Sequence, residues 1–157
     1  MTKRLVLVLG LAAAVLAAGW TADAVAGKRA ARPATGKAKL AAAADTGAKG
    51  TADVKHWPET GQRVERSRLR IRVRKLVPNA SYVLWLDDPR TPDMVPVQFT
   101  YTPLTSDVRG KLTLTFDTKQ GDALPFGALV DDLLGCPVQL RTPGGQAVLV
   151  GKLPVMR

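Results

Sequence analysis

The chain has 157 residues and carries 23 Lys and Arg against 13 Asp and Glu, a formal net charge of +10 at pH 7. This length allows one ordinary domain with appendages. The single Cys excludes a disulfide within the chain, and the single His excludes sites built from several histidines. Only three Ser are present, so the chain has few residues that could form a catalytic nucleophile with a neighbouring base. We therefore expect no enzyme and no cofactor.

The first 26 residues have the pattern of a secretory signal peptide. Lys3 and Arg4 precede an apolar run from Leu5 to Gly19, and Ala24-Val25-Ala26 supplies small residues at the spacing that signal peptidase reads. The run is shorter than the roughly 20 apolar residues that span a bilayer, so we expect cleavage rather than a retained anchor, and no membrane span afterwards. For a bacterial chain, which the Ala- and Arg-rich composition suggests, the predicted location is secreted, periplasmic or cell surface.

Residues 27–55 have the composition of a disordered basic linker. Apart from Leu40 and Val54 this segment has no larger aliphatic residue, and it has no aromatic residue. Such a segment buries too little apolar area to offset the entropy of ordering. Seven Lys or Arg against two Asp make it basic. Two interpretations stay open, namely a solvated spacer and a tail that holds the protein to an acidic surface.

Residues 56–157 have the pattern of an all-β domain, in which short alternating runs are separated by Pro, Gly, Asn and Asp. The clearest runs cover 68–74, 82–86, 95–102, 111–117, 138–140 and 147–150. The stretch 124–135 fits a short helical turn better than a strand. We predict an antiparallel, immunoglobulin-like β-sandwich of six or seven strands with one short helical turn, with a small closed barrel as the alternative.

The strand around residues 68–74 carries the most informative charge pattern. Aliphatic residues alternate there with a row of arginines, Arg68, Arg70, Arg72 and Arg74. Alternate residues on a strand lie about 6.7 Å apart, near the charge spacing of anionic polymers, and arginine binds sulfate or phosphate through two parallel hydrogen bonds. We predict a polyanion-binding ridge for anionic glycans, lipopolysaccharide or acidic lipid headgroups; export disfavours nucleic acid. Competing interpretations are edge-strand protection and pairing with acids on neighbouring strands.

Other candidate sites have weaker patterns. Three aromatic residues would add stacking if they lay beside the arginines: Tyr82, Trp85 and Tyr101. Asp87, Asp88 and Asp93 share one loop and form a candidate Ca²⁺ site, although their spacing matches no calcium loop, so no metal is expected.

One alternative function is a protein–protein domain that uses an exposed sheet edge in the hairpin from Val138 to Val150. The other is a hydrolase built from the carboxylates of Asp87, Asp88, Asp131 and Asp132.

Overall fold

The computed structural model describes residues 32–43, 46–59, 65–91, 93 and 95–156. Nine strands are present in these ranges: β1 Ala34–Ala42, β2 Lys49–Trp57, β3 Arg66–Arg74, β4 Ser81–Asp87, β5 Pro96–Gln98, β6 Leu104–Thr105, β7 Leu112–Asp117, β8 Pro137–Arg141 and β9 Ala147–Lys152. Two short 3-10 helices, Thr118–Gln120 and Pro125–Gly127, follow β7. The predicted signal peptide, residues 1–26, lies outside the described residues. Within those ranges, no helix has the length and apolar character needed to cross a bilayer.

The strands form one curled antiparallel sheet, a half-barrel. Their order is β5-β4-β8-β9-β1-β2-β3-β7, with β6 paired to β4. Strand β1 bends the sheet round, because residues 34–40 pair with β2 while Ala41 and Ala42 pair with β9. The all-β antiparallel prediction is confirmed. A two-sheet immunoglobulin-like sandwich is not confirmed, and the described strands number nine rather than six or seven.

The hydrophobic core lies on the inner face of the curl. Alternate residues of the strands point inward and are almost fully buried, among them Val54, Leu69, Ile71, Leu84, Leu86, Val138 and Leu149. Phe99 packs edge to face against Phe116 and Phe126, with ring centroids 5.7 Å and 5.1 Å apart. Phe116 belongs to β7 and Phe99 follows β5, the two ends of the strand order. Side-chain packing therefore bridges the open side of the half-barrel.

Residues 34–42 and 49–55 lie in strands β1 and β2 and so are not the disordered linker predicted for residues 27–55, of which residues 27–31, 44 and 45 lie outside the described residues. The inner residues of the two strands are small because neighbouring backbone and side chains approach closely. A Cβ on Gly36 would lie 2.7 Å from the carbonyl oxygen of Val155, and a Cβ on Gly50 would lie 2.9 Å from the Cβ of Leu40. Leucine and valine side chains from other strands supply the buried area that the composition of the segment alone does not contain. The described domain therefore includes β1 and β2 and does not begin at residue 56.

Most of the predicted strands are confirmed as β3, β4, β7, β8 and β9, and residues 124–135 contain turns and a 3-10 helix as predicted. Strand β5 is the exception, because it covers only Pro96–Gln98. Val97 pairs with the buried Leu86 yet is 44% exposed, and Tyr101 is 85% exposed. The physical reason is that β5 ends the strand order, so the core does not extend beyond it.

Two alternatives that required a free sheet edge do not fit the strand pairing. Strand β3 lies between β2 and β7, so its arginines do not protect an edge. The hairpin of β8 and β9 lies between β4 and β1, so its outer sides are paired as well. The sheet edge that the protein–protein alternative required is therefore covered.

Candidate functional site

The outer face of β1, β2 and β3 is strongly cationic. Residues directly opposite each other in antiparallel strands share a face, and the pairs Lys49–Arg74 and Lys55–Arg68 both lie outward. The side chains on this surface, which we call the cationic face, include nine cations: Lys37, Lys39, Lys49, Lys55, Arg66, Arg68, Arg70, Arg72 and Arg74. The outward carboxylates on these strands and on β7 are Asp53 and Asp117.

The local sequence of β3 holds the arginines in one row. Four inward residues alternate with them and are buried, namely Ser67, Leu69, Ile71 and Val73. Because β2 and β7 pair with β3 along most of its length, the strand cannot shift by one residue without exposing Leu69, Ile71 and Val73. The arginine row is therefore fixed by core packing on the opposite side of the strand.

Arg66 is anchored at one end of the cationic face. Its Nε donates to Asp117 Oδ1 at 2.9 Å and its Nη2 donates to Asp117 Oδ2 at 2.6 Å. The hydrogen bonds from Arg66 lower the pKa of the buried Asp117 carboxyl, with desolvation opposing them. Trp57, the last residue of β2, is opposite Arg66, and its ring centroid lies 4.6 Å from Arg66 Cζ and 5.8 Å from Arg68 Cζ. This end of the face combines a fixed guanidinium with an aromatic platform.

Asp53 lies in the middle of the cationic face. It is opposite Arg70 in the strand register, and its Oδ2 is 3.7 Å from Arg72 Nη2, an ion pair longer than a hydrogen bond. Among the described residues, three buried polar atoms here have no hydrogen-bond partner: Asp53 Oδ2, Arg70 Nε and Arg72 Nε. One carboxylate therefore offsets part of the charge of two arginines without satisfying their donors.

The structure places all four predicted arginines, Arg68, Arg70, Arg72 and Arg74, on the cationic face. Two of the aromatic residues that would have added stacking contact other groups: the Tyr82 hydroxyl accepts a hydrogen bond from the Val77 N–H, and Trp85 stacks under Arg141 at 4.2 Å. Sequence reasoning missed Trp57, and it assigned the four lysines of β1 and β2 to a basic linker rather than to the same sheet face. The alternation of Lys, Thr and Asp with small residues over 49–55 was the available signal.

Two of the clefts on the described part of the surface are relevant to function. The first, of about 310 Å³, lies on the cationic face and is lined by Lys37, Lys49, Gly50, Thr51, Arg72 and Arg74. The second, of about 290 Å³, has mainly small and apolar walls from residues 123–130, with Glu65, Ser67 and Thr118 at its polar side. Only the first cleft gathers several charges of one sign.

His56 has neighbours across the strand pair that the sequence does not show. Its Nδ1 lies 3.0 Å from Ser67 Oγ and 3.7 Å from Glu65 Oε1. A catalytic relay requires the hydroxyl and the carboxylate at opposite ring nitrogens. Here both partners meet the same nitrogen, so the contact links β2 to β3 and is not a relay.

The candidate carboxylates do not converge on either cleft. Asp87 is buried, and burial together with Asp93 and Asp88 raises the pKa of its carboxyl. Both oxygens of Asp88 accept hydrogen bonds from Arg90, at 2.8 Å and 2.6 Å, which lowers the pKa of Asp88. Asp131 and Asp132 are exposed. In the described ranges, no group of three or more His, Cys, Asp or Glu has a geometry that would hold a metal.

The fold and this face define a curled, all-β protein with a cationic sheet surface. Comparison with protein-family models, with curated protein sequences and with solved structures gives no match. Function is therefore inferred from the residues of the cationic face.

Changing Asp117 to Asn is expected to lower the free energy of unfolding at neutral pH by about 2 kcal/mol, because a buried carboxylate loses charge-assisted hydrogen bonds. The folded-state pKa of Asp117 is lowered, so its contribution is present above the unfolded pKa near 4 and is lost as pH falls through the folded pKa. The variant should therefore lose less stability than the parent on acidification. Urea unfolding at about pH 7 and about pH 3 measures both effects.

The control for this prediction is Asp88→Asn, which breaks an ion pair whose arginine is 67% exposed. Because solvent screens such pairs, we expect a clearly smaller change. Equal losses in the two variants would contradict the assignment of Asp117 as the anchoring carboxylate.

Proposed function

We propose that the protein is an exported, non-catalytic binding module that holds anionic polymers of the cell envelope on its cationic face. The observation that carries this proposal is the gathering of nine cations and one carboxylate, Asp53, on the outer face of three adjacent strands. The export component comes from the signal-peptide pattern of residues 1–26. The partners that fit this location are anionic glycans, lipopolysaccharide and acidic lipid headgroups.

The charge distribution along the chain supports a surface with a dedicated role. Residues 76–157 carry seven Lys or Arg and eight Asp or Glu, so the positive excess of the described domain belongs to the first three strands. A concentration of one sign on one face attracts oppositely charged polymers within about a Debye length, roughly 8 Å at physiological salt. A core-packing requirement does not explain this segregation, because the cations lie on the outer side of the sheet.

The geometry also suits a repeating ligand. Cations on β3 recur at every second residue, about 6.7 Å apart, and lysines on β1 and β2 run beside them. Threonine hydroxyls share this side of the sheet and add hydrogen-bonding groups: Thr51 lies between Lys39 and Arg72, Thr35 is opposite Lys55, and Thr113 and Thr115 of β7 are opposite Arg72 and Arg70. Because β3 is flanked on both sides, the face offers side chains and not free backbone groups to a partner.

The proposal is tested by retention of the protein on immobilised heparin, used as a general anionic polymer, while salt is raised. The variant Lys55→Gln/Arg68→Gln removes one directly opposed pair from the face. We expect it to elute at clearly lower salt than the parent. The slope of log affinity against log salt should fall in magnitude by about two, because about two fewer counterions are released.

The matched control is Arg141→Gln/Lys152→Gln, which removes one Arg and one Lys from β8 and β9. This variant has the same net charge as the test variant, so we expect elution close to that of the parent. If both variants shift equally, retention reflects net charge alone and the cationic face has no special role. If the parent elutes at low salt, the proposal fails.

A further inference from the structure

The cleft on the cationic face differs from the rest of that face. Outside the cleft, Arg66 is held by Asp117 and Arg68 lies over Trp57, whereas Asp53 lies opposite Arg70 and forms its ion pair with Arg72 at 3.7 Å. The cleft instead collects four cations, Lys37, Lys49, Arg72 and Arg74, around the backbone of Gly50 and the side of Thr51. No carboxylate lines it among the described residues. The cleft therefore gathers four cations, of which one, Arg72, has a long ion pair to Asp53 outside the lining.

The polar groups of the cleft are mostly free to accept a ligand. Lys37, Lys49 and Arg74 are exposed. Arg72 has only the 3.7 Å ion pair to Asp53, and its Nε has no hydrogen-bond partner among the described residues. Two guanidinium groups and two ammonium groups present donors and no acceptors, so the complementary ligand is one that carries only acceptors.

The charge of the cleft selects among anions. Four like charges in one concavity repel each other, and a ligand with several negative charges offsets that repulsion better than a ligand with one. A carboxylate and a sulfate ester carry one negative charge each, whereas a phosphate monoester carries between one and a half and two at pH 7. Two linked phosphate groups carry more and present oxygens to both sides of the cleft, between β1 and β3.

We propose that this cleft is a phosphate subsite, which takes a phosphate monoester or two linked phosphate groups of the anionic partner. The proposal rests on the proposed polyanion-binding function and names its ligand class as phosphorylated rather than sulfated or carboxylated. Lys49 and Arg74, which are directly opposed at the end of β2 and β3, contact one side of the bound group, and Arg72 and Lys37 contact the other.

The test is titration of the isotopically labelled protein with inorganic pyrophosphate and, separately, with methyl sulfate, a sulfate monoester, at equal ionic strength, followed by NMR. We expect pyrophosphate to bind at least tenfold more tightly than methyl sulfate, with the largest amide shifts at residues 49–51 and 72–74. The variant Lys49→Gln/Arg74→Gln should bind pyrophosphate about tenfold more weakly, which corresponds to about 1.4 kcal/mol.

The matched control is Lys55→Gln/Arg68→Gln, the other directly opposed Lys–Arg pair on the same two strands. This variant should weaken retention on heparin as much as Lys49→Gln/Arg74→Gln does. It should change pyrophosphate affinity less than about threefold, because Lys55 and Arg68 do not line the cleft and their charges are screened from it by salt. Equal losses of pyrophosphate affinity in both variants, or equal affinities for methyl sulfate and pyrophosphate, would overturn the phosphate subsite.

The outcomes separate this inference from the proposed function. If heparin retention depends on the cationic face but pyrophosphate does not bind, the phosphate subsite is refuted and the polyanion function is supported. If pyrophosphate binds in the cleft but heparin does not retain the protein, the phosphate subsite is supported and the polyanion function is refuted. Cosedimentation with phosphatidylcholine vesicles that contain phosphatidic acid distinguishes the sources of the phosphate group. If the protein cosediments and Lys49→Gln/Arg74→Gln does not, the subsite binds a lipid phosphate. If the protein binds pyrophosphate but does not cosediment, the subsite binds a soluble phosphate.

Discussion

A protein truncated to residues 58–157, which lacks β1 and β2, is expected not to fold. The two strands lie in the middle of the strand order, between β9 and β3. Their removal leaves β5-β4-β8-β9 on one side and the pair β3-β7 on the other. Two strands alone are marginally stable in water, and the inner faces of both groups would lose the residues that cover them, such as Val54 and Leu40. We expect no cooperative thermal transition and no near-ultraviolet circular dichroism.

The control is a protein that begins at Arg32 and so keeps all nine described strands. It should unfold in one cooperative transition. A cooperative transition in the 58–157 protein, with native near-ultraviolet circular dichroism, would contradict the central position of β1 and β2.

Replacing Gly110 with Ala is expected to lower the free energy of unfolding by about 3 to 5 kcal/mol. Gly110 has φ +65°, and an added Cβ would fall well inside contact distance of the carbonyl oxygen of Leu76. The same glycine accepts a hydrogen bond from the Leu76 N–H at 3.0 Å, so the two backbones cannot separate without breaking it. Asp107 Oδ1 further fixes the loop through the N–H groups of Arg109 and Lys111, at 2.8 Å and 2.7 Å.

Gly47 provides the matched control, because its φ is +64° and an added Cβ meets nothing within 4 Å. Gly47→Ala should therefore show the conformational penalty alone, about 1 kcal/mol. Chemical denaturation of both variants isolates the contribution of the clash at Leu76. Equal losses of stability would mean that backbone conformation, and not close approach, makes Gly110 necessary.

The fold was predictable where apolar residues alternate with polar ones. The period-two patterns of β3, β7 and the β8–β9 hairpin each contain large aliphatic residues, and all three regions are strands. In β1 and β2 the alternation is present, but most of its inner members are Gly and Ala, which look like linker composition. Gly36 packs against the backbone of Val155, beyond β9, and Gly50 packs against Leu40 of β1 and Leu149 of β9, and a local window cannot count those contacts.

Only the part of the candidate site that lies within one strand was predictable from the sequence. The arginine row is visible in one strand, and its members share a face because strand geometry requires it. Its neighbours depend on pairing between distant strands, which brings Lys49 opposite Arg74 and Trp57 opposite Arg66. The lysines assigned to a linker are part of the cationic face only because the register aligns them. Composition shows how much charge the chain carries, and register decides where that charge collects.

The pairing of β1 with β9 also bears on how the chain reaches its native state. Ala41 pairs with Val150, so the first described strand depends on the last. Proteins dominated by such distant pairings have high contact order and fold in about milliseconds to seconds, more slowly than helical proteins of similar size. A ribosome-bound chain that has emerged only through β8 cannot complete the curl. The sheet therefore closes only after β9 has been synthesised, and the polypeptide stays without its full native pairing until then.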